Sequence, residues 1–270
     1  MLVKEPILGQ KDLLLGALQV QARVIGALML RDMRTRFGRT FFGYVISVAW
    51  PLSHLLILMG IYLTIRRFFP IGTSPAVFLA TGILPYILCF YPARMITMSV
   101  VQNQPLLYFP VVKSLDVILA RGILEVVTAF WVIAIFCFIL IVFGVNVMPI
   151  YPHEALLAIF ATIYLGFSIG FAGAVFYKLI RAWMVIVIVT LIVMYVTSGA
   201  LFLPSMFPPK VQYWLSWNPL FHSVEWLRSA YYDGYGTSML DRGYLVGYAT
   251  FNLFVGLVAE RAIRGIVLKA

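Results

Sequence analysis

Apolar positions along this chain come in long runs, separated by short segments that carry cations. Six charge-poor runs stand out, at about 41–65, 76–100, 126–150, 155–177, 182–203 and 243–259. Each approaches or exceeds the roughly 20 residues that cross about 30 Å of hydrocarbon at 1.5 Å per residue. A backbone facing lipid must satisfy its own hydrogen bonds, so each run predicts a helix. The period-two alternation of a barrel strand is absent. The expected fold is an all-α integral membrane protein with six transmembrane helices.

Two segments do not fit the long-run pattern. Asp12–Arg36 is helix-forming, with Leu14, Ala17, Leu18, Ile25 and Leu28 spaced for one face, and Gln19, Gln21 and Arg23 interrupt it. It is too short of apolar residues to span and predicts an amphipathic helix lying in the interface. A signal peptide is the rival reading, but no small-residue cleavage site follows. Before the last run, 204–242 is broken by prolines and rich in aromatics: Phe207, Tyr213, Trp214, Trp217, Phe221 and Trp226. Short re-entrant or interfacial helices with rings in the head-group layer are expected there. The organisation is then 1–40, an N-terminal segment with the interface helix; 41–260, the six-helix membrane domain; and 261–270, a C-terminal tail.

Composition agrees with this class: 63% of residues are hydrophobic and 11% charged, against about 25% charged in soluble domains. The net charge is +10, and its position between apolar runs points to anionic lipid or an anionic substrate rather than nucleic acid. With the N-terminus inside, the inner segments carry fifteen of the 20 Lys and Arg residues and the outer segments five. That asymmetry predicts both termini in the cytoplasm. Cys89 and Cys137 lie in different runs and form no metal or disulfide pattern.

No GxxxxGK[ST], HExxH or CxxC motif occurs, so nucleotide hydrolysis by this chain is not expected. His54, His153 and His222 are in separate segments, which disfavours a metal cluster. Asp116 and Glu125 near the inner ends of runs read either as proton-relay groups or as partners of a cation, with Arg121 four residues from Glu125. His222 with Glu225 is the best candidate pair for membrane-embedded transferase chemistry. A proton-coupled carrier would need a carboxylate in mid-run, and none is there.

Three runs carry polar or aromatic stripes at helical spacing. They place Ser47, Trp50 and His54 on the first, Tyr86, Phe90, Arg94 and Thr97 on the second, and Thr190, Met194 and Thr197 on the fifth. Such groups usually turn toward protein or a water-filled cavity. As channel-lining groups they would present rings to sugar faces and hydroxyls to sugar edges; as packing groups they would satisfy one another. Pro51, Pro85 and Pro92 invite kinks. Gly166, Gly170 and Gly173, and separately Gly243 and Gly247, read as close-approach faces.

The stretches RDMRTRFGRTFFGYVISVAWPL (31–52), QNQPLLYFPVVKSLDVILARGILE (102–125) and WNPL (217–220) resemble permease subunits of type-2 ABC exporters, in particular the capsular-polysaccharide branch. The resemblance implies a homodimer bound to two separate ATPase subunits. A lipid-linked, usually anionic polysaccharide would pass between the two copies. ATP and magnesium would sit in the ATPases, with no cofactor in this chain. It implies a coupling segment at Gln102, Gln104, Leu106, Leu107, Tyr108 and Phe109, and lipid-phosphate contacts from Arg31, Arg34, Arg36 and Arg39. A cationic side chain near an anionic head group contributes about 1 kcal/mol. It further implies the inner membrane of a Gram-negative cell, a periplasmic adaptor and an outer-membrane polysaccharide channel. O-antigen and teichoic-acid exporters are the nearest relatives of that reading.

Overall fold

The computed structural model describes residues 10–37, 41–65, 71–72, 74–236 and 238–267. These residues form nine α-helices: α1 (Gln10–Phe37), α2 (Phe41–Thr64), α3 (Pro75–Gln102), α4 (Ser114–Val142), α5 (Pro152–Leu179), α6 (Trp183–Val196), α7 (Pro209–Leu215), α8 (Pro219–Tyr231) and α9 (Arg242–Val267). Single 3₁₀ turns at Gln104–Tyr108 and Pro204–Met206 join α3 to α4 and α6 to α7. No strand is present among the described residues. Helices α3, α5, α7 and α8 each begin on proline, where the missing N–H costs no helical hydrogen bond.

Four helices, α3, α4, α5 and α9, are long and apolar enough to cross a membrane. The apolar stretches Val48–Thr64 of α2 and Trp183–Val196 of α6 are shorter. The fifth apolar run was expected to continue to residue 203, but α6 stops at Val196. Gly199 turns the chain at φ +75, and Ala200 then packs its carbonyl against Gly82 of α3. The third run was expected from 126, yet α4 begins twelve residues earlier, at Ser114. It carries Asp116, Arg121 and Glu125 inside the helix, all buried. The prolines expected to kink, Pro51, Pro85 and Pro92, lie within continuous helices.

Of the four long apolar helices α3 is the most enclosed, surrounded by α2, α4, α5, α6 and α8. Its most extensive partner is α5, and the sequence permits that approach. A Cβ at Gly166 would lie 2.7 Å from the Cys89 carbonyl oxygen, and one at Gly170 would lie 2.9 Å from that of Ala93. Thr97 fills the space beside Gly173. The second glycine face is different: nothing lies within 4 Å of Gly247, and α9 instead packs on α5 through Gly256. The reason is positional. Gly256 meets Ala172, whereas Gly247 lies on the exposed side of α9, opposite the buried Leu245 and Ala249.

Helix α1 is only half engaged. Leu28 is buried, and Val24, Ile25 and Met29 pack with it on Val117 and Ala120 of α4. Leu15, Leu18 and Val20 remain exposed. The Leu14 side chain lies outside the described residues.

Substituting Gly170 by valine is expected to lower the melting temperature of the detergent-solubilised protein, since overpacking costs about 1–3 kcal/mol. Gly247→Ala, which enters open space, should leave melting unchanged or raise it. Equal melting of Gly170→Val and wild type would mean that α3 and α5 do not cross there.

Candidate functional site

At the end of the bundle where α3 stops and α4 starts, three elements are held together by polar side chains. Asn103 follows α3, and its amide donates to the Ser99 carbonyl at 2.9 Å. Its oxygen accepts from Arg31 of α1 at 2.8 Å. Asp116, in the first turn of α4, accepts from the Lys113 backbone N–H at 3.0 Å and from Gln21 of α1 at 3.0 Å. Deeper, Arg121 pairs with Glu125 on its own helix and lies 3.7 Å from Asp32 of α1. All three charged groups are buried. Burial pushes the Asp32 carboxyl above the usual carboxylate range, and the Arg121 and Arg31 guanidiniums pull it back.

The 3₁₀ turn sits on this base. Leu106 and Leu107 are half-buried and pack inward with Leu28, Val117 and Ala120. Tyr108 (84% exposed), Phe109 (61%) and Val111 (58%) project outward. Of the expected coupling residues, then, two anchor the turn and two form an uncovered tip, while Gln102 and Gln104 are exposed. A groove of about 500 Å³ runs beside the tip, lined by Leu107, Tyr108, Lys113, Lys178 of α5 and Glu260 of α9. Of the four arginines proposed for lipid phosphate, Arg31 is engaged with Asn103 and Arg34 is exposed. The Arg36 side chain and the whole of Arg39 lie outside the described residues.

The three stripes converge in mid-bundle. Tyr86 stacks on Tyr195 of α6 with centroids 3.9 Å apart, and Phe90 packs beside Tyr86 at 5.1 Å. His54 meets Tyr86 edge-on, and its Nδ1 lies 3.2 Å from the Tyr91 hydroxyl. Met194 is buried in the same core. Thr97 is buried and donates to the Ala93 carbonyl. Thr197 donates to the Val193 carbonyl and accepts from Asn218. Arg94 is half-buried. Trp50 (66% exposed) and Thr190 are exposed on the outside of the bundle, and the Ser47 side chain lies outside the described residues.

At the opposite end, α8 is pinned by a second buried arginine. Arg228 is completely buried and donates to the carbonyls of Ala200 at 2.9 Å and Phe202 at 3.1 Å. Its guanidinium lies over the Phe78 ring, 4.4 Å from the centroid. Glu225 stands 3.9 Å from it and accepts from Tyr235 at 2.6 Å. The His222 Nδ1 accepts from the Asp241 N–H at 3.1 Å, so its Nε2 carries the proton that goes to the Ser216 carbonyl at 2.8 Å. Both nitrogens are occupied, and His222 acts as a neutral staple between α7 and α9. The rings expected together in the head-group layer divide: Phe221 and Trp226 are buried, while Tyr213, Trp214 and Trp217 are exposed.

Sequence reading paired Arg121 with Glu125 but missed Asp32, Asn103 and Arg228. Arg228 is one of the five cations assigned to the outer segments. Its signal was faint: a charge among Trp226, Leu227 and Ala230 at helical spacing.

Residues 23–232 match the ABC-2 type transporter membrane family. The chain is 33% identical over 253 residues to the polysialic acid transport protein KpsM of Escherichia coli, covering 90% of this chain and 94% of that one. It is 31% identical to the capsule polysaccharide export inner-membrane protein CtrC of Neisseria meningitidis serogroup B, covering 80% and 82%. It is 26% identical to the capsule polysaccharide export inner-membrane protein BexB of Haemophilus influenzae, covering 90% and 91%.

Arg121→Ala removes the guanidinium that Asp32 and Glu125 share. The expected cost is about 3–5 kcal/mol, as when one partner of a buried pair is lost. Amide hydrogen exchange at 102–113 should accelerate, and Arg121→Lys should recover part of the protection. Unchanged exchange would separate the turn from the ion network.

Proposed function

This chain belongs to the ABC-2 type transporter family, and on that premise we propose that it is the permease subunit of an ATP-driven exporter for a lipid-linked, anionic capsular polysaccharide. The observation that carries the reading is the Tyr108–Phe109–Val111 tip: apolar, uncovered and held on a buried ionic base. A chain with no phosphate-cradling loop needs its energy delivered from outside, and a firmly backed apolar projection is how a second protein can push on it. The separate ATPase would dock here, two copies to a homodimer of this chain. Relatives named for polysialic acid and capsule polysaccharide favour capsule over O-antigen or teichoic acid.

In this reading all six apolar helices cross the inner membrane, with α2 and α6 spanning alongside the four longer ones. Helix α1 lies in the cytoplasmic interface, and α7 and α8 re-enter from the far side. Both termini are cytoplasmic. Removing the buried Arg121 and Arg228 from the cation tally leaves fourteen inside against four outside, which supports the same orientation. The outward faces of α2 and α6, with Trp50, Ile57, Thr190 and Val193 exposed, would meet the second copy and bound the polymer path. A periplasmic adaptor and an outer-membrane channel would continue that path. Arg34, exposed on α1, would meet a lipid phosphate at its entrance.

Replacing Tyr108 by alanine together with Phe109 by aspartate is expected to abolish co-purification of the ATPase without shifting the melting temperature. Retained co-purification would remove the tip from the docking site. Trp50→Ala combined with His54→Ala should reduce surface polymer at least several-fold with the ATPase still bound; full export would take both residues off the polymer path.

A further inference from the structure

On the face opposite the α3–α4 turn, α7, the start of α9 and the segment before it border an open cleft of about 580 Å³. That volume falls within the roughly 300–1,000 Å³ of small-molecule sites. Tyr213, Trp217 and Tyr244 supply aromatic walls, and Gln212, Ser216 and Asp241 supply polar ones. The back wall is His222, whose two bonds to Ser216 and Asp241 hold the sides of the cleft at a set separation. The Tyr244 hydroxyl donates to the Trp217 carbonyl at 2.7 Å, which ties the third ring to the second.

The lining chemistry narrows the ligand. No lysine or arginine lines the cleft among the described residues, which disfavours a phosphate. The nearby Arg242 is engaged with Glu154 and the Trp226 ring. No leucine, isoleucine or valine lines it either, which disfavours an acyl chain. The N-terminus of α9 is no anion site, because Asp241 already accepts the Tyr244 N–H at 2.8 Å. The lining is a set of ring faces beside an amide, two serine hydroxyls and a carboxylate, with Pro209 and Met239 as its only aliphatic members among the described residues. That combination suits a ligand with an apolar C–H face and many hydroxyl donors. A ring used only as a membrane anchor needs no such concavity. Trp214 shows the contrast, since it is as exposed as Trp217 but stands outside the cleft.

We propose that this cleft binds a sugar ring of the polymer, stacked on Tyr213 and Trp217 and hydrogen-bonded to Gln212 and Asp241. The inference rests on the exporter reading and adds to it a defined saccharide subsite on the exit face, formed within a single copy of the chain. A bound ring would hold the emerging polymer between pumping steps and oppose its return.

The test uses the assembled permease–ATPase complex in nanodiscs of phosphatidylglycerol. The probe is a pool of lipid-free oligosaccharides cut by mild acid from the polymer the exporting cells secrete, with binding read by saturation-transfer NMR and titration. Wild type should bind; Trp217→Ala should bind about tenfold more weakly, the loss of roughly one stacked ring. Trp217→Phe should stay within about twofold, since it keeps the ring face, and Trp214→Ala should match wild type. An equal loss in Trp214→Ala and Trp217→Ala, or no binding by wild type, would overturn the subsite. Adding phosphatidylethanolamine to the nanodiscs should not displace the probe. Displacement would identify the cleft as a head-group site, because an ammonium also suits aromatic rings beside a carboxylate. The two readings fail separately. Polymer secretion that persists without this chain sinks the exporter reading, whereas secretion that depends on it alongside undiminished binding by Trp217→Ala sinks only the subsite.

Discussion

A guanidinium inside an apolar bundle must be given partners, and this fold is organised at both ends around that requirement. Removing an ion from water costs several kcal/mol, and only well-placed counter-charges and carbonyls return it. At one end Arg121 draws α1 onto α4 through Asp32. At the other Arg228 draws the turn after α6 onto α8 through the Ala200 and Phe202 carbonyls. Neither helix pair would be specified by apolar packing alone, because lipid is as apolar as the helix faces themselves. The arginines thus decide which faces meet.

Between these clamps the core is held by shape. Helix α3 reaches α5 closely because Gly166, Gly170 and Gly173 present no side chains. It meets α2 and α6 through rings, with Tyr86 on Tyr195 and His54 against Tyr86 and Tyr91. Close packing on one side and adaptable aromatic contact on the other make α3 a fixed post beside α5. The aromatic seam lies against α2 and α6, whose apolar stretches are shorter than those of the other four apolar helices.

The two ends also differ in what they leave uncovered. The α3–α4 turn shows a convex apolar tip, the shape another protein can grip. The α7–α9 end shows a concave, mixed aromatic and polar cleft, the shape a small polar ligand can enter. The proposed exporter, taking energy at one end and releasing a hydroxyl-rich polymer at the other, would have use for both. His222 links the second feature to the scaffold as a neutral donor and acceptor, and that bonding leaves it no free nitrogen for transferase chemistry.

The apolar runs, the close-approach glycines of α5 and the i to i+4 pair of Arg121 with Glu125 were legible along the chain, because each is a local property of spacing and residue type. The family resemblance rested on equally local strings and led to the same assignment as the full-length similarity. Other features needed the folded chain: that α6 stops at Val196, that Arg228 is buried, that Gly247 meets nothing, and that Leu106 and Leu107 face in while Tyr108 and Phe109 face out. A stripe on a helix says which residues share a direction, and it does not say what stands opposite. Asp32 and Arg121 lie 89 positions apart in the chain, and only the packing of α1 on α4 brings them to 3.7 Å. Burial and pairing belong to both partners of a contact, so they were decided by tertiary structure, whereas helix length and composition belong to one segment and were determined by sequence.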